Sequence, residues 1–264
     1  MMLRWAIQSN LVNQADLDRL LRACAEQGRP AVTFTTVPFS NQPPDLDDRQ
    51  PTVFYGSTGC MSNIWECQRW QPGVFFDPEH FSFPAWSSAY DADCLNAGAR
   101  QTTLAQLVDL DFPSDELLFL RPIHDDKSFA GEVMTFGEIQ HWVKGLDQTV
   151  LSPDCPILVA EPVGIAHEWR LFLVNGRYST GSHYRTRQRL DVYPEVPPSV
   201  TSFAEGLAAR WQPAPVFVLD VAQSGERLYL VEINCFNSAG FYASDVSRLV
   251  ADVSSFWEGA GHVR

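Results

Sequence analysis

Apolar residues open the chain in short blocks separated by polar turns. Leu3–Ile7 predicts a strand and Ala31–Val37 a second one. Between them, Gln14–Gln27 predicts a helix with Leu17, Leu20, Leu21 and Cys24 on one face. Strand, helix and strand in that order begin a parallel α/β unit. The polar, Pro-rich segment Asn41–Pro51 is a connection, after which the strand Thr52–Tyr55 runs into Gly56-Ser57-Thr58-Gly59 and a helix through Trp65 and Trp70. That glycine turn lacks the Lys of a phosphate loop and the third Gly of a dinucleotide fingerprint, so it reads first as a tight turn. Gly73–Phe76 predicts a short strand, Ser82–Asn96 is rich in aromatic residues, and a helix lies near Leu104–Leu110.

From about Ser114 the pattern changes. Strands are expected at Leu117–Arg121, Glu132–Thr135, Ile157–Glu161 and Trp169–Val174, with a helix at Phe136–Val143. Asn175-Gly176 then supplies a strong hairpin turn signal. The expected organisation is a mixed α/β (α+β) chain: a parallel α/β domain over residues 1–95, then a domain rich in antiparallel sheets over residues 96–264.

Composition narrows the function classes. Of 264 residues, 45% are hydrophobic and only 19% charged, enough apolar surface for a core and no case for disorder. The 19 Lys and Arg against 32 Asp and Glu give a net charge of −13, which argues against a partner that is nucleic acid or an anionic membrane. Polar residues Arg4, Gln8, Ser9 and Asn10 interrupt the first apolar stretch and spoil a signal peptide or a span, so a cytoplasmic location is expected. The six cysteines, at 24, 60, 67, 94, 155 and 235, form no C-x-x-C pair and read as reduced thiols. Lysine occurs at 127 and 144 alone, which gives Lys127, in a loop, more weight than Lys144 at a helix end.

The segment Val216–Gly240 carries the most chemistry. With a three-residue turn at Gly225–Arg227, Asp220 lies opposite Glu232 and Val218 opposite Asn234. Asp220, Glu232 and Asn234 then share one face as oxygen donors suited to Mg2+, while Leu219, Val221, Val231 and Ile233 point to a core face. The bland alternative is the solvent side of an edge hairpin. A second basic feature is His183–Arg189: if it is extended, Arg185, Arg187 and Arg189 align to meet phosphate or an acidic substrate, with His183 and Tyr184 nearby; a charge-guarded edge strand is the alternative.

An Asp on one strand and Glu-x-Asn on the next resembles the metal-binding end of the ATP-grasp superfamily. Three upstream features accompany it. Arg121-Pro122, followed by His124–Gly131 with Lys127, resembles the step and mobile loop that meet the triphosphate. Ile157–Val163, including Glu161 and Val163, resembles the hinge strand that reads adenine. Glu168, seven residues after Glu161, matches the acid that holds the ribose. Arg170 in Glu168–Arg177 resembles the arginine facing phosphate and acyl group in the peptide-ligase branches. The set is most similar to an ATP-grasp clade of phages and bacteria that uses Arg and Lys around the nucleotide, here with Arg121 where most members carry Lys.

The resemblance covers roughly residues 117–245 and implies a two-lobed grasp domain with lobes over about 96–160 and 161–264. It implies ATP and Mg2+ as cofactors, with Asp220, Glu232 and Asn234 as metal ligands and Arg121, Lys127, Glu161, Val163, Glu168 and Arg170 at the nucleotide. Arg170 and Lys127 would be catalytic, and Arg185, Arg187 and Tyr184 would meet substrate. The implied activity is ADP-forming ligation of a carboxylate to an amine through an acyl phosphate; a small-molecule kinase and a non-catalytic nucleotide-binding or partner-binding module are the alternatives.

Overall fold

In the computed structural model, which describes residues 2–37, 42–123 and 129–259, the chain divides into two compact units. One combines Met1–Phe81 with Ile165–Arg264; the other is Ser82–Gly164. The first begins with strand β1 (Arg4–Gln8), helix α1 (Gln14–Glu26), β2 (Ala31–Phe34), β3 (Thr52–Tyr55), α2 (Thr58–Cys67) and the two-residue β4 (Pro72–Gly73). These strands form a parallel sheet in the order β2-β1-β3-β4. Asn13 caps α1, its Oδ1 accepting from the Ala15 N–H at 2.9 Å. Both faces of the sheet are covered, as parallel sheets require. Trp5, Ile7, Val53 and Tyr55 enter one core, while Ala6 and Phe54 meet Cys60, Met61, Ile64 and Trp70 in another. The expected helix through Trp70 is shorter: Gln68 turns left-handed at φ 50°, and Trp70 packs on Phe54 with centroids 4.9 Å apart.

The second unit contains α3 (Phe83–Tyr90), β5 (Arg100–Thr103), α4 (Leu104–Val108), β6 (Leu117–Pro122), β7 (Glu132–Thr135), α5 (Phe136–Lys144) and β8 (Pro156–Ala160). Its antiparallel sheet runs β5-β8-β6-β7. Leu118, Leu120, Ile157 and Val159 pack under Leu104, Leu107, Phe136 and Ile139. Thr135 and Glu138 form a capping box that starts α5 directly after β7. The aromatic stretch supplies α3, with Phe83, Trp86 and Tyr90 buried at helical spacing.

The first unit resumes with β9 (His167–Val174), β10 (Arg177–Thr186), β11 (Arg189–Tyr193), α6 (Pro198–Arg210), β12 (Val216–Ser224), β13 (Arg227–Cys235) and α7 (Val246–Gly259). An antiparallel sheet runs β11-β10-β9-β12-β13. The β12–β13 turn differs from expectation. Ser224 pairs with Arg227, so the turn is two residues, Gly225-Glu226, and a register shift between Asp220 and Val221 then restores Asp220 opposite Glu232 and Val218 opposite Asn234.

The expectation of a single core face is also corrected. Leu219 and Val221 are fully buried, yet Val216, Val218, Phe172 and Val174, which alternate with them or their neighbours, join the core of Trp5, Ile7, Phe236 and Leu249. The central strands are therefore covered on both sides. Among the described residues, no helix is long and apolar enough to cross a membrane.

Candidate functional site

Three adjacent strands bring Arg170, Asp220 and Glu232 into one row. Asp220 of β12 pairs with Arg170 of β9 on one side and Glu232 of β13 on the other. Directly opposed residues in an antiparallel sheet project to the same face, so the row is a consequence of register. Arg170 donates from Nε to Asp220 Oδ1 at 2.9 Å and from Nη2 to Oδ2 at 2.7 Å. This is a bidentate, charge-assisted contact in a place where Asp220 is only 2% exposed. Burial works against the charge on Arg170, but the Asp220 carboxylate more than offsets it and holds the guanidinium above its ordinary range. Asn234, two residues beyond Glu232, donates Nδ2–H to Asp220 Oδ2 at 3.4 Å. The solvent-facing edge hairpin is thus excluded for Asp220 and Asn234, which are buried.

A second buried carboxylate lies one step along β9. Glu168 accepts from Tyr184 Oη at 2.8 Å on Oε2 and from Arg185 Nη1 at 3.2 Å on Oε1. The Tyr184 ring stacks on Tyr242, with centroids 4.9 Å apart and planes at 6°. Arg170 Cζ lies 5.2 Å from the Tyr242 ring centroid and 5.9 Å from that of Tyr184. Burial, then the negative charges of Asp220 and Glu168, push the Tyr184 phenol well above its ordinary range, so it remains a donor. Tyr242 itself has a left-handed backbone, φ 48°, uncommon for a bulky residue. Arg19 on α1 holds it there, donating from Nη1 to the Tyr242 carbonyl at 2.6 Å and from Nη2 to the Ser244 carbonyl.

The donor set fits a hard divalent cation: two carboxylates facing each other across a strand pair, with an amide beside them. Among the described residues no group of three or more His, Cys, Asp or Glu is placed to hold a metal, so a cation at Asp220 and Glu232 would take further ligands from Asn234, water or phosphate.

In the second unit, Arg121 leaves β6 opposite Leu158 of β8. Its Cζ lies 5.3 Å from the Phe83 ring centroid and 5.5 Å from that of Trp86. Lys127 lies outside the described residues. The strand expected at Ile157–Glu161 ends at Ala160, so Glu161 and Val163 follow it as exposed, non-strand backbone.

The aligned arginine face is not formed. Arg187 and Gln188 have φ of 45° and 66° and make the two-residue turn between β10 and β11, which places Arg185 and Arg189 on different strands. Arg187 instead donates its backbone N–H to the Ala166 carbonyl at 3.0 Å. Tyr184, expected at substrate, is 5% exposed, with its hydroxyl on Glu168 and its ring on Tyr242. The sequence reading missed Tyr242 and Arg19. Tyr242 follows the Glu-x-Asn strand by eight residues without a periodic signal, and Arg19 sits on the polar side of an ordinary amphipathic helix.

A family model of the ATP-grasp domain, the third family of its clade, matches residues 61–253. Among solved structures, the RimK-domain ATP-grasp protein of Sphaerobacter thermophilus is 14% identical with a TM-score of 0.63, over 95% of this chain and 99% of that one. The macrocyclase MdnC of Microcystis aeruginosa, bound with precursor peptide MdnA, is 13% identical with a TM-score of 0.60, over 98% and 100%. The D-alanine–D-alanine ligase of Bacillus anthracis is 10% identical with a TM-score of 0.57, over 99% and 100%. At such identities the likeness is one of fold. No curated protein matches the chain.

Proposed function

Because the chain belongs to the ATP-grasp superfamily, we propose that it is an ADP-forming ligase that joins a carboxylate to an amine at the expense of ATP. The observation that carries this reading is the buried Arg170–Asp220 contact in one row with Glu232 and beside Asn234. Asp220, Glu232 and Asn234 are the residues that would hold Mg2+, which when bound supplies charge neutralisation at the phosphates. Arg121 and Lys127 meet the phosphate oxygens, Glu161 and Val163 bracket the backbone that reads adenine, and Glu168 faces the ribose.

A substrate carboxylate attacks the γ-phosphorus and the bond to ADP breaks, giving an acyl phosphate; the amine then attacks the acyl carbon and phosphate leaves. Arg170 acts as a preorganised cation for the acyl phosphate and the tetrahedral oxyanion. Its Nε and Nη2 are fixed on Asp220, whereas Nη1, with Gly240 O at 3.5 Å, is the edge turned to substrate. Arg185, Tyr184 and Arg187 are assigned to the substrate side, Tyr184 through Glu168. Peptide substrates are in keeping with the solved relative that holds a precursor peptide, and small amino acids with the D-alanine ligase.

Calorimetric titration with Mg2+ and a non-hydrolysable ATP analogue tests the site. Metal-dependent micromolar binding that collapses in Glu232→Ala supports it, and no binding to the wild type removes the nucleotide reading. ADP release then separates the outcomes: a ligase needs carboxylate and amine together, a kinase needs one acceptor, and a binding module releases none.

A further inference from the structure

Phe83 and Trp86 stand one turn apart on α3, both buried, with ring centroids 4.7 Å apart and planes at 79°. Two rings at nearly a right angle make a corner, and Arg121 Cζ lies over both of them, at 5.3 and 5.5 Å. All three residues belong to the same compact unit, so the corner is a fixed part of it. A guanidinium is attracted to aromatic faces through its flat, weakly hydrated surface, while its N–H groups radiate in the plane. Ring contact and bidentate donation to a phosphate therefore use different parts of the group. An ammonium has no such division, since its three donors surround one compact charge.

Resting on the nucleotide reading above, we propose that Phe83 and Trp86 are positioning residues that orient Arg121 toward the ATP phosphates, and that this aromatic corner is what makes Arg rather than Lys the suitable cation there. The rings act through Arg121 and touch no reacting atom. Gly131 supports the placement from the other side: a Cβ there would come within 3.1 Å of the Phe119 ring and 3.5 Å of Arg121 Cβ, so the chain passes Arg121 as closely as a bare backbone allows.

The test is a double-mutant cycle read by calorimetry with Mg2+ and either a non-hydrolysable ATP analogue or AMP, on the full chain. Trp86→Leu is expected to weaken the triphosphate analogue about tenfold, roughly 1.4 kcal/mol, and to leave AMP unchanged; Trp86→Phe restores most of the loss. In an Arg121→Lys background, Trp86→Leu is expected to have little further effect, because contacting residues couple. Should Trp86→Leu melt early, Phe83→Leu carries the same comparison. Equal losses for both nucleotides, no rescue by Phe, or full additivity with Arg121→Lys would overturn the proposal. If the wild type binds the analogue and the cycle is additive, this inference alone fails; if the wild type binds no nucleotide, the functional reading fails with it.

Discussion

The guanidinium of Arg19 and the carbonyl oxygen of Tyr242 are 2.6 Å apart although 223 residues separate them. The same guanidinium reaches the Ser244 carbonyl, so one side chain of α1 ties down both sides of Ala243. Tyr242 is thereby kept left-handed with its ring on Tyr184 and near Arg170. A strained backbone held by surrounding contacts is the usual signature of a residue placed for work.

That strain has a measurable sign. Tyr242→Gly and Tyr242→Ala both lose the ring, but Gly accepts a φ of 48° and Ala does not. The Gly variant is expected to be the more stable of the two by about 1 kcal/mol in urea denaturation. Equal stabilities would mean that the turn relaxes when the ring is gone.

Removing one member of the Arg170–Asp220 contact leaves the other charge buried. Asp220→Ala and Arg170→Met are each expected to cost roughly 3–5 kcal/mol. The double variant Arg170→Met with Asp220→Leu should be less destabilised than the sum of the singles. Denaturant midpoints of the three proteins check this, and simple additivity would show that the two charges do not depend on one another.

Asp16 predicts a pH dependence. Burial raises its carboxyl above the ordinary range, an effect partly opposed by the Phe241 N–H and by Arg19. A folded-state value above the unfolded one means the protonated form is favoured by folding, so the contribution is full below the unfolded value of about 3.9 and is lost as pH rises through the folded value. Asp16→Asn has no such loss. Its stability relative to the wild type should therefore rise across the weakly acidic range, measured by urea denaturation at a series of pH values; a flat difference would mean that Asp16 titrates alike in both states.

Gly181 lies in β10 beside the Arg170 strand, and a Cβ built on it would sit 2.8 Å from the Arg170 carbonyl oxygen. Gly181→Ala is expected to cost about 1–3 kcal/mol through displaced backbone. It should also weaken binding of the ATP analogue, because the strand that must move carries Arg170. Unchanged melting temperature and affinity would show that β9 and β10 separate without penalty.

Much of the site is legible in the sequence because strand alternation is a strict rule. Asp220, Glu232 and Asn234 fall on one face from spacing alone, and the first unit's parallel opening follows from its strand–helix–strand pattern. The hairpin turn is less legible: Gly225–Arg227 suggests three residues, whereas two residues and a register shift produce the same pairing at Asp220. The Arg187-Gln188 turn carries no signal, since neither residue is a customary occupant of positive φ. Phe83, Trp86 and Tyr90 do have helical spacing, but over a single short helix it is hard to tell from plain aromatic enrichment. Arg19 at Tyr242 is not legible at all, because nothing local to α1 encodes a carbonyl more than two hundred residues away.

The first unit takes its β-sheets from two segments far apart in the chain. Trp5 of β1 packs on Phe236 and donates to Ser254 Oγ at 3.1 Å, so its core requires residues made late in translation. The second unit, continuous from Ser82 to Gly164, is complete well before α7 is synthesised. On a ribosome that adds roughly 5–20 residues each second, the inserted unit has several seconds to mature while the N-terminal strands wait for their partners. Vectorial synthesis thus sets an order of assembly: the unit carrying Arg121 first, the unit carrying Arg170 and Asp220 only once α7 has emerged.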